Sequence, residues 1–325
     1  VYLVASDGSN VHLAKWTDFG ATLASTTDID QDDRGQNYFP RICAEGDQIV
    51  VIYVSPRALD DTARGIWGVV SGDAGQTWSP REELRPAGVA GNIATGIDLA
   101  CGPGGRALAS WSEIWTILDD YRVHSRLFEG GAWQPTDLEV PTDLWLPSAF
   151  WPSAAFASAT QVVLAYQISD YEIYVVRSID GGVSWLPSSV RLNEFIPSPD
   201  APPSAYWPEV ISDGDENVWV SWLDTAAGRP SVVMRHSRDA GSSFFLTTRL
   251  DRKEPQGAYD AFYLPTFGAA AASVSTCRRT ASVRSRCSSV APRTSSACRP
   301  AGVRGSSASS SRRVTVSSCS AHRAR

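Results

Sequence analysis

Aromatic residues stand before a proline at regular places along the sequence, as pairs in three copies and as a single tyrosine in a fourth, and these side chains are well suited to bind a ligand. The tripeptides read Tyr38-Phe39-Pro40, Phe150-Trp151-Pro152, Tyr206-Trp207-Pro208 and Tyr263-Leu264-Pro265. Sugars stack their apolar faces on such rings, and pockets lined by aromatic side chains with a few polar groups are typical ligand sites. The pattern therefore predicts a substrate-binding surface formed by Tyr38, Phe39, Trp151, Trp207 and Tyr263. Packing between neighbouring repeats is the alternative role for the same rings.

Other familiar catalytic patterns are missing from the sequence. Its four histidines form no cluster, and there is no Ser-His-Asp set, phosphate loop or nucleotide fingerprint. Cys43 and Cys101 are expected to be buried thiols, with a disulfide between them as the alternative. The four cysteines after residue 268 have no metal-binding spacing. We therefore expect neither a metal site nor a cofactor.

The aromatic tripeptides mark a repeat. Their prolines are separated by 112, 56 and 57 residues, which indicates a period of about 56, and the copy expected near residue 96 lacks its proline. Each repeat continues with short runs rich in Val, Ile, Tyr and Trp, bounded by Gly, Asp and Pro, which is typical of strands. No helical period competes. Four antiparallel strands per repeat correspond to one blade of a β-propeller.

A second motif, Ser-x-Asp-x-Gly-x-Ser/Thr-aromatic, lies between the third and fourth run of a repeat. Its copies are centred on Asp73, Asp180 and Asp239, and a degenerate copy surrounds Asp18. The Asp can hydrogen-bond backbone N–H groups in the turn, and the Gly can adopt a positive φ. The motif closely resembles the Asp-box, or BNR-repeat, family, whose best-known members are the sialidases. That resemblance implies a β-propeller in which the boxes are structural turns away from the active site.

The predicted fold is therefore an all-β, sialidase-like propeller of four-stranded antiparallel blades over residues 1–268. Six blades are expected, at about 1–37 (partial), 38–93, 94–149, 150–205, 206–262 and 263 onward, with the last one incomplete. Residues 269–325 are rich in Ser and contain 11 Arg without any Asp or Glu. They are interpreted either as a disordered basic tail or as the product of a reading frame shifted near residue 268.

The resemblance also implies catalytic residues. In sialidases an Arg-Ile-Pro motif begins an arginine triad that holds the substrate carboxylate, and an Asp in the next loop is the general acid/base. Arg41-Ile42-Cys43 resembles this motif with Cys in place of Pro, and Asp60 and Asp61 lie in the following loop. The planar fork of an arginine suits bidentate binding of a carboxylate. A strand-end Arg41 that pairs with a nearby acid is the structural alternative.

The remaining catalytic roles have weaker candidates. Arg235 is a further candidate for the triad, although a solvent-facing strand residue would look the same. Glu209, which follows the third aromatic tripeptide, is the candidate to assist a late tyrosine nucleophile, with a salt bridge at the rim as the alternative. Tyr259 and Tyr263 are the only late tyrosines.

Charge and hydropathy limit the partners. The whole chain has a net charge of −6; residues 1–268 carry 29 − 11 = 18 basic and 35 acidic residues, a net charge of −17. An acidic body does not favour nucleic acid, and no run is long and apolar enough to span a bilayer. We expect a glycan or glycoconjugate partner, a secreted or periplasmic location, and no membrane insertion; the oligomeric state is left open.

The enzymatic hypothesis is an exo-sialidase-like glycoside hydrolase, acting on a terminal sialic acid or a related glycoside. The alternative is a non-catalytic glycan-binding or protein-interaction propeller.

Overall fold

The chain forms five consecutive antiparallel sheets. The computed structural model describes residues 1–30, 37–56, 64–85, 94–115, 120–142, 148–168, 172–193, 205–225, 231–245 and 247–250. Residues 269–325 and Tyr263 lie outside this part, so the expected sixth blade and the interpretation of the tail stay predictions.

The first sheet has three strands and the next two sheets have four and five. The three strands of the first sheet are β1 (Tyr2–Ser6), β2 (Val11–Thr17) and β3 (Thr22–Asp28). The second sheet contains β4 (Tyr38–Glu45), β5 (Gln48–Pro56), β6 (Arg64–Ser71) and β7 (Glu82–Arg85). The third contains β8 (Ala94–Gly102), β9 (Arg106–Trp115), β10 (Asp120–Glu129), β11 (Ala132–Trp133) and β12 (Leu138–Glu139).

The fourth and fifth sheets are four-stranded and follow chain order. The fourth contains β13 (Ala149–Phe156), β14 (Val162–Ile168), β15 (Glu172–Ser178) and β16 (Val190–Arg191). The fifth contains β17 (Ala205–Ser212), β18 (Val218–Asp224), β19 (Ser231–Ser237) and β20 (Thr248–Arg249). All strand pairs in the five sheets are antiparallel. Each pair joins strands that are neighbours in sequence, except that β12 pairs with β10. This is the strand order of propeller blades.

The third sheet differs from the expected four strands because its turn has lost the Asp. Gly130 and Gly131, with φ of +63° and +86°, instead join β10 directly to β11 in a two-residue hairpin. Two residues with positive φ are what such a tight hairpin requires. The outer edge of the sheet is consequently shared by two short strands, β11 and β12, both paired with β10.

Apolar layers join each sheet to the next. One layer lies between the first and second sheets, and others follow between each later pair. The aromatic residue that closes each complete box packs into the layer shared with the preceding sheet; these residues are Trp78, Trp185 and Phe244. The first strands of the last four sheets are β4, β8, β13 and β17, and we call them the innermost strands. Each of them contacts the next one along the chain. The sheets therefore stack face to face with their first strands gathered on one side.

The three complete boxes share one hydrogen-bond pattern. In the second copy, Ser178 Oγ donates to Asp180 Oδ1 (2.7 Å) and the Ser184 amide donates to the same oxygen (2.9 Å). Asp73 and Asp239 accept the equivalent bonds. For the Asp18 carboxylate the structure describes one hydrogen bond, from Thr22 Oγ1 (3.1 Å). Asp18 thus occupies the corresponding turn without the serine and amide donors that close the other boxes.

Candidate functional site

Each innermost strand is interrupted by a β-bulge at the aromatic tripeptide or its equivalent. The pairing register shifts between Tyr38 and Arg41, Thr95 and Asp98, Phe150 and Ser153, and Tyr206 and Glu209. At the centre of each bulge stands a residue with positive φ: Phe39 (+54°), Gly96 (+57°), Trp151 (+51°) and Trp207 (+52°). For an aromatic residue this conformation costs about 1 kcal/mol or more, and such strain concentrates at functional sites.

The bulges hold three aromatic rings toward solvent. Phe39 is 58% exposed, Trp151 43% and Trp207 37%, which is unusual for side chains of this size. We call these three residues the aromatic platform. Tyr38, which was also predicted to bind substrate, is only partly exposed, because the guanidinium of Arg64 lies over its ring at 4.6 Å. The structure therefore presents one residue of each pair rather than both.

One residue follows each bulge, and two of the four residues, Asp98 and Ser153, reach the next sheet. In the four innermost strands these residues are Arg41, Asp98, Ser153 and Glu209. The Ala154 amide donates to Asp98 Oδ2 (2.8 Å), and the Val210 amide donates to Ser153 Oγ (3.0 Å). Each acceptor thus bonds to the backbone of the next innermost strand, one residue after the equivalent position. The charges of Arg41 and Glu209 act on the same region, because Arg41 influences both acids and Asp98 influences Glu209.

Electrostatics in this cluster favour a bound proton. Burial raises the pKa of Glu209 to about 7, and the negative charge of Asp98 adds to the effect, while the positive charge of Arg41 opposes it. Burial also raises the pKa of Asp98, against the hydrogen bond from Ala154 and the charge of Arg41. Two neighbouring carboxyl groups that resist ionisation together are a common arrangement in acid–base catalysis.

The structure brings together two of the residues predicted to be catalytic and separates a third. Arg41 and Glu209 belong to the cluster. Arg235 lies on β19, two strands away from the strand that carries Glu209, and its Nε donates to Thr247 Oγ1 (3.0 Å). Because adjacent strands are about 4.8 Å apart, its backbone is roughly 10 Å from the cluster. Arg235 therefore lies outside the row of residues that follow the bulges, and its role in an arginine triad stays a prediction. Asp60 and Asp61 lie outside the described residues.

The sequence analysis missed Asp98 and Ser153. The repeat period contained the signal, since 41, 98, 153 and 209 are spaced by 57, 55 and 56 residues. Asp98 was hidden because its repeat lacks both the proline and the aromatic residue at the bulge, where Gly96 and Ile97 stand instead. Ser153 was not predicted because a serine without a nearby base in the sequence is not a candidate catalytic residue.

Cys43 and Cys101 are joined by a disulfide, where two free thiols were the favoured expectation. Their Cα atoms are 5.2 Å apart, within the usual range for a disulfide. The bond links β4 to β8, so it connects two of the innermost strands close to Arg41 and Asp98. The sequence could not show this because the two residues are 58 positions apart.

Two further properties bear on the site. Among the described residues, no group of three His, Cys, Asp or Glu side chains is arranged to hold a metal ion. In the same part of the chain, no helix has the length and apolar character needed to cross a membrane.

No protein-family model and no curated protein matches the sequence. Among solved structures, the chain is similar to a Dyadobacter fermentans protein of unknown function, with 16% identity, a TM-score of 0.49, and coverage of 72% of this chain and 69% of that one. It is also similar to the NanB sialidase of Streptococcus pneumoniae, with 9% identity and a TM-score of 0.46 over 66% of this chain. It spans 52% of that sialidase. A third similar structure is the GH93 α-L-arabinofuranosidase of Fusarium graminearum in complex with arabinobiose, with 12% identity and a TM-score of 0.45 over 77% and 70% of the two chains. The activity has to be argued from the side chains of this protein.

Proposed function

We propose that the protein binds a glycan on the aromatic platform and hydrolyses a glycosidic bond with Asp98 and Glu209. The observation that carries the proposal is the gathering of Arg41, Asp98, Ser153 and Glu209 at equivalent positions of four adjacent innermost strands, next to the three strained aromatic residues. Exposed aromatic rings beside partly buried acids suit a sugar, which offers both an apolar face and hydroxyl groups.

The two carboxyl groups divide the work of glycoside hydrolysis. The reaction needs an acid that protonates the leaving oxygen and a carboxylate that activates water or attacks the anomeric carbon. Glu209, with a pKa of about 7, carries a proton in a large fraction of molecules at neutral pH, so it is the acid. Asp98, which accepts the Ala154 amide, is the carboxylate.

Arg41 favours an anionic sugar as the substrate. Its side chain is exposed, and the one hydrogen bond that the structure describes for its guanidinium goes to the Pro40 carbonyl oxygen (3.3 Å). The guanidinium therefore remains able to bind a substrate carboxylate. Hydrolysis of a terminal sialic acid, or of a related glycoside, is the specific form of the proposal.

A second candidate function is glycan binding without hydrolysis, which the exposure of Phe39, Trp151 and Trp207 alone would support. The two are separated by assaying the full chain against aryl glycosides, with aryl sialosides and arabinofuranosides included, and against a glycan array. We expect Glu209→Gln and Asp98→Asn to lower hydrolysis at least 100-fold while glycan binding persists. Glu139→Gln is the control, because Glu139 is an exposed acid paired with Arg122.

The outcomes of this assay differ for each hypothesis. Binding without turnover in the wild type would select the non-catalytic function. Unchanged glycan affinity in Trp151→Ala and Trp207→Ala would remove the aromatic platform from both hypotheses. No glycan binding at all would leave protein interaction as the function.

A further inference from the structure

The bulge at Trp207 places one backbone donor outside the ladder of its own sheet. The register of β17 against β18 shifts between Tyr206 and Glu209, so Trp207 and Pro208 both lie in the interruption. A proline has no amide proton, and the amide of Trp207 is therefore the backbone donor that this interruption contains. Because a buried amide without an acceptor is destabilising, the bulge requires an acceptor from elsewhere.

Gln167 of the preceding sheet supplies that acceptor. Its Oε1 accepts the Trp207 amide (3.2 Å), and the glutamine is buried, with 6% of the residue exposed. On the same strand, β14, Val163 and Ala165 belong to the apolar layer between the fourth and fifth sheets. Side chains alternate along a strand, so Gln167 lies on the same face as these two residues. A glutamine therefore takes the place of an apolar side chain at the end of this layer, beside the bulge.

This hydrogen bond acts on the strained residue itself. Trp207 has a φ of +52°, and a side chain of this size keeps such a conformation only where its surroundings enforce it. A second bond to the fourth sheet, from the Val210 amide to Ser153 Oγ (3.0 Å), fixes the strand three residues further on. The backbone conformation of Trp207 sets the direction of its Cα–Cβ bond, so the acceptor on Gln167 also determines where the indole points.

We propose that Gln167 is a positioning residue for glycan recognition, because its side-chain oxygen stabilises the left-handed conformation that presents the Trp207 indole to solvent. Gln167 acts through the backbone of Trp207 rather than through contact with the sugar. Loss of the acceptor should therefore weaken glycan binding and, where hydrolysis is measurable, raise KM with kcat unchanged. The effect on glycans rests on the function proposed above, whereas the hydrogen bond to Trp207 does not.

Hydrogen exchange of the Trp207 amide, followed by NMR in the full chain, tests the hydrogen bond directly. Gln167→Met keeps the length of the side chain but removes the amide oxygen, and we expect the Trp207 amide to exchange at least about 10-fold faster in this variant. Gln167→Glu, which keeps an acceptor oxygen, should restore slow exchange. If Gln167→Met does not fold, Gln167→Asn, which is shorter by one methylene, should give a smaller increase in the exchange rate.

Gln48 offers a matched control for the loss of a hydrogen bond between sheets. Its Nε2 donates to the Gly105 carbonyl oxygen (2.6 Å), which links the second sheet to the third. Gln48 pairs with Glu45, at the end of β4 that is remote from the Phe39 bulge. We expect Gln48→Met to lower stability while the Trp207 amide exchanges at the wild-type rate and glycan affinity is retained.

A double-mutant cycle shows whether Gln167 acts on glycans through Trp207. In the otherwise unchanged protein, we expect Gln167→Met to weaken glycan binding about fivefold or more. In a Trp207→Gly background there is no indole to position, so the same substitution should have no further effect on glycan affinity.

Unchanged exchange of the Trp207 amide in Gln167→Met would overturn the proposal. An equal loss of glycan affinity in both backgrounds would overturn it too, because Gln167 would then act independently of the indole. The same loss of affinity in Gln48→Met would reduce the effect to general destabilisation and overturn the positioning role. Faster exchange in Gln167→Met, together with no glycan binding by the wild type, would refute the proposed function and leave the hydrogen bond to Trp207 intact.

Discussion

The indole of Trp151 lies against the backbone of Gly96, so that a Cβ at position 96 would be 2.8 Å from Cε3 of the ring and 3.1 Å from the Trp151 Cα. Gly96 is the one bulge centre without a side chain among the four innermost strands that the structure describes. The missing side chain leaves the space that Trp151 fills. The orientation of this ring in the aromatic platform therefore depends on a residue of the neighbouring sheet.

Gly96→Ala should consequently disturb Trp151 as well as the backbone. Gly46 offers a matched control, because its φ of +59° is almost that of Gly96 (+57°) and nothing lies within 4 Å of a Cβ there. We expect Gly46→Ala to cost about 1 kcal/mol from backbone strain, and Gly96→Ala about 2–4 kcal/mol with weaker glycan binding. Urea unfolding and glycan titration measure both effects. Equal losses in the two variants would mean that Trp151 does not need the space.

Glu209 should make stability depend on pH. Because burial raises its pKa from the ordinary 4.5 to about 7, the folded protein holds this proton more tightly than the unfolded chain. Stability is therefore lost as the pH rises from about 4.5 to about 7. The glutamine in Glu209→Gln cannot ionise. The Tm of this variant relative to the Tm of the wild type should therefore increase as the pH rises through that range. Thermal melts of the wild type and the variant at several pH values give the difference. A constant difference for Glu209→Gln would contradict the raised pKa.

The disulfide between Cys43 and Cys101 should contribute substantially to stability. Closing a loop of this length is worth about 4 kcal/mol in the chain-entropy description, and measured values are commonly 2–4 kcal/mol. We expect reduction, or Cys43→Ser with Cys101→Ser, to lower the Tm by several degrees. Peptide mapping under non-reducing conditions identifies the bond directly. Free thiols at both positions together with a Tm insensitive to reductant would exclude it.

The box turns should be sensitive to their central Asp. Asp180→Asn removes the oxygen that accepts from Ser184 Oγ and the negative charge that strengthens the bonds from Ser178 and the Ser184 amide. We expect a loss of about 1 kcal/mol in urea unfolding. Asp18→Asn, at the turn with one described hydrogen bond to the carboxylate, should change stability by less than about 0.5 kcal/mol. Similar losses in both variants would show that the extra donors contribute little.

Much of the fold followed from local chemistry that the sequence displays. The box motif combines a Ser, an Asp and a Gly in one turn, so its position between two strands could be predicted without knowing any tertiary contact. The prolines gave the repeat period and placed Arg41 and Glu209 at equivalent positions. What escaped prediction depends on contacts between sheets. No propensity favours an aromatic residue with positive φ, as at Trp151, because the conformation is unfavourable in isolation and persists only through its surroundings.

The site was harder to predict than the fold for the same reason. Glu209 looked like one acid among many, and its raised pKa arises from burial and from Asp98, which comes from a strand more than a hundred residues earlier. Arg235 fitted the resemblance by residue type, but its strand sits two places outward in the sheet. Residue type and order along a strand could be deduced from the sequence, whereas the contacts between side chains of different sheets could not.

The left-handed residue at each innermost bulge also determines how these positions can be varied. Glycine adopts this backbone conformation freely, and Gly96 shows that the bulge forms without a ring. A glycine at position 39, 151 or 207 would therefore relax the backbone while giving up one binding surface. The scaffold and its ligand contacts are separable at these three points. Ligand recognition can therefore be redesigned by single substitutions at these positions. A substitution that adds a binding surface is expected to lower stability, and one that removes a surface is expected to raise it.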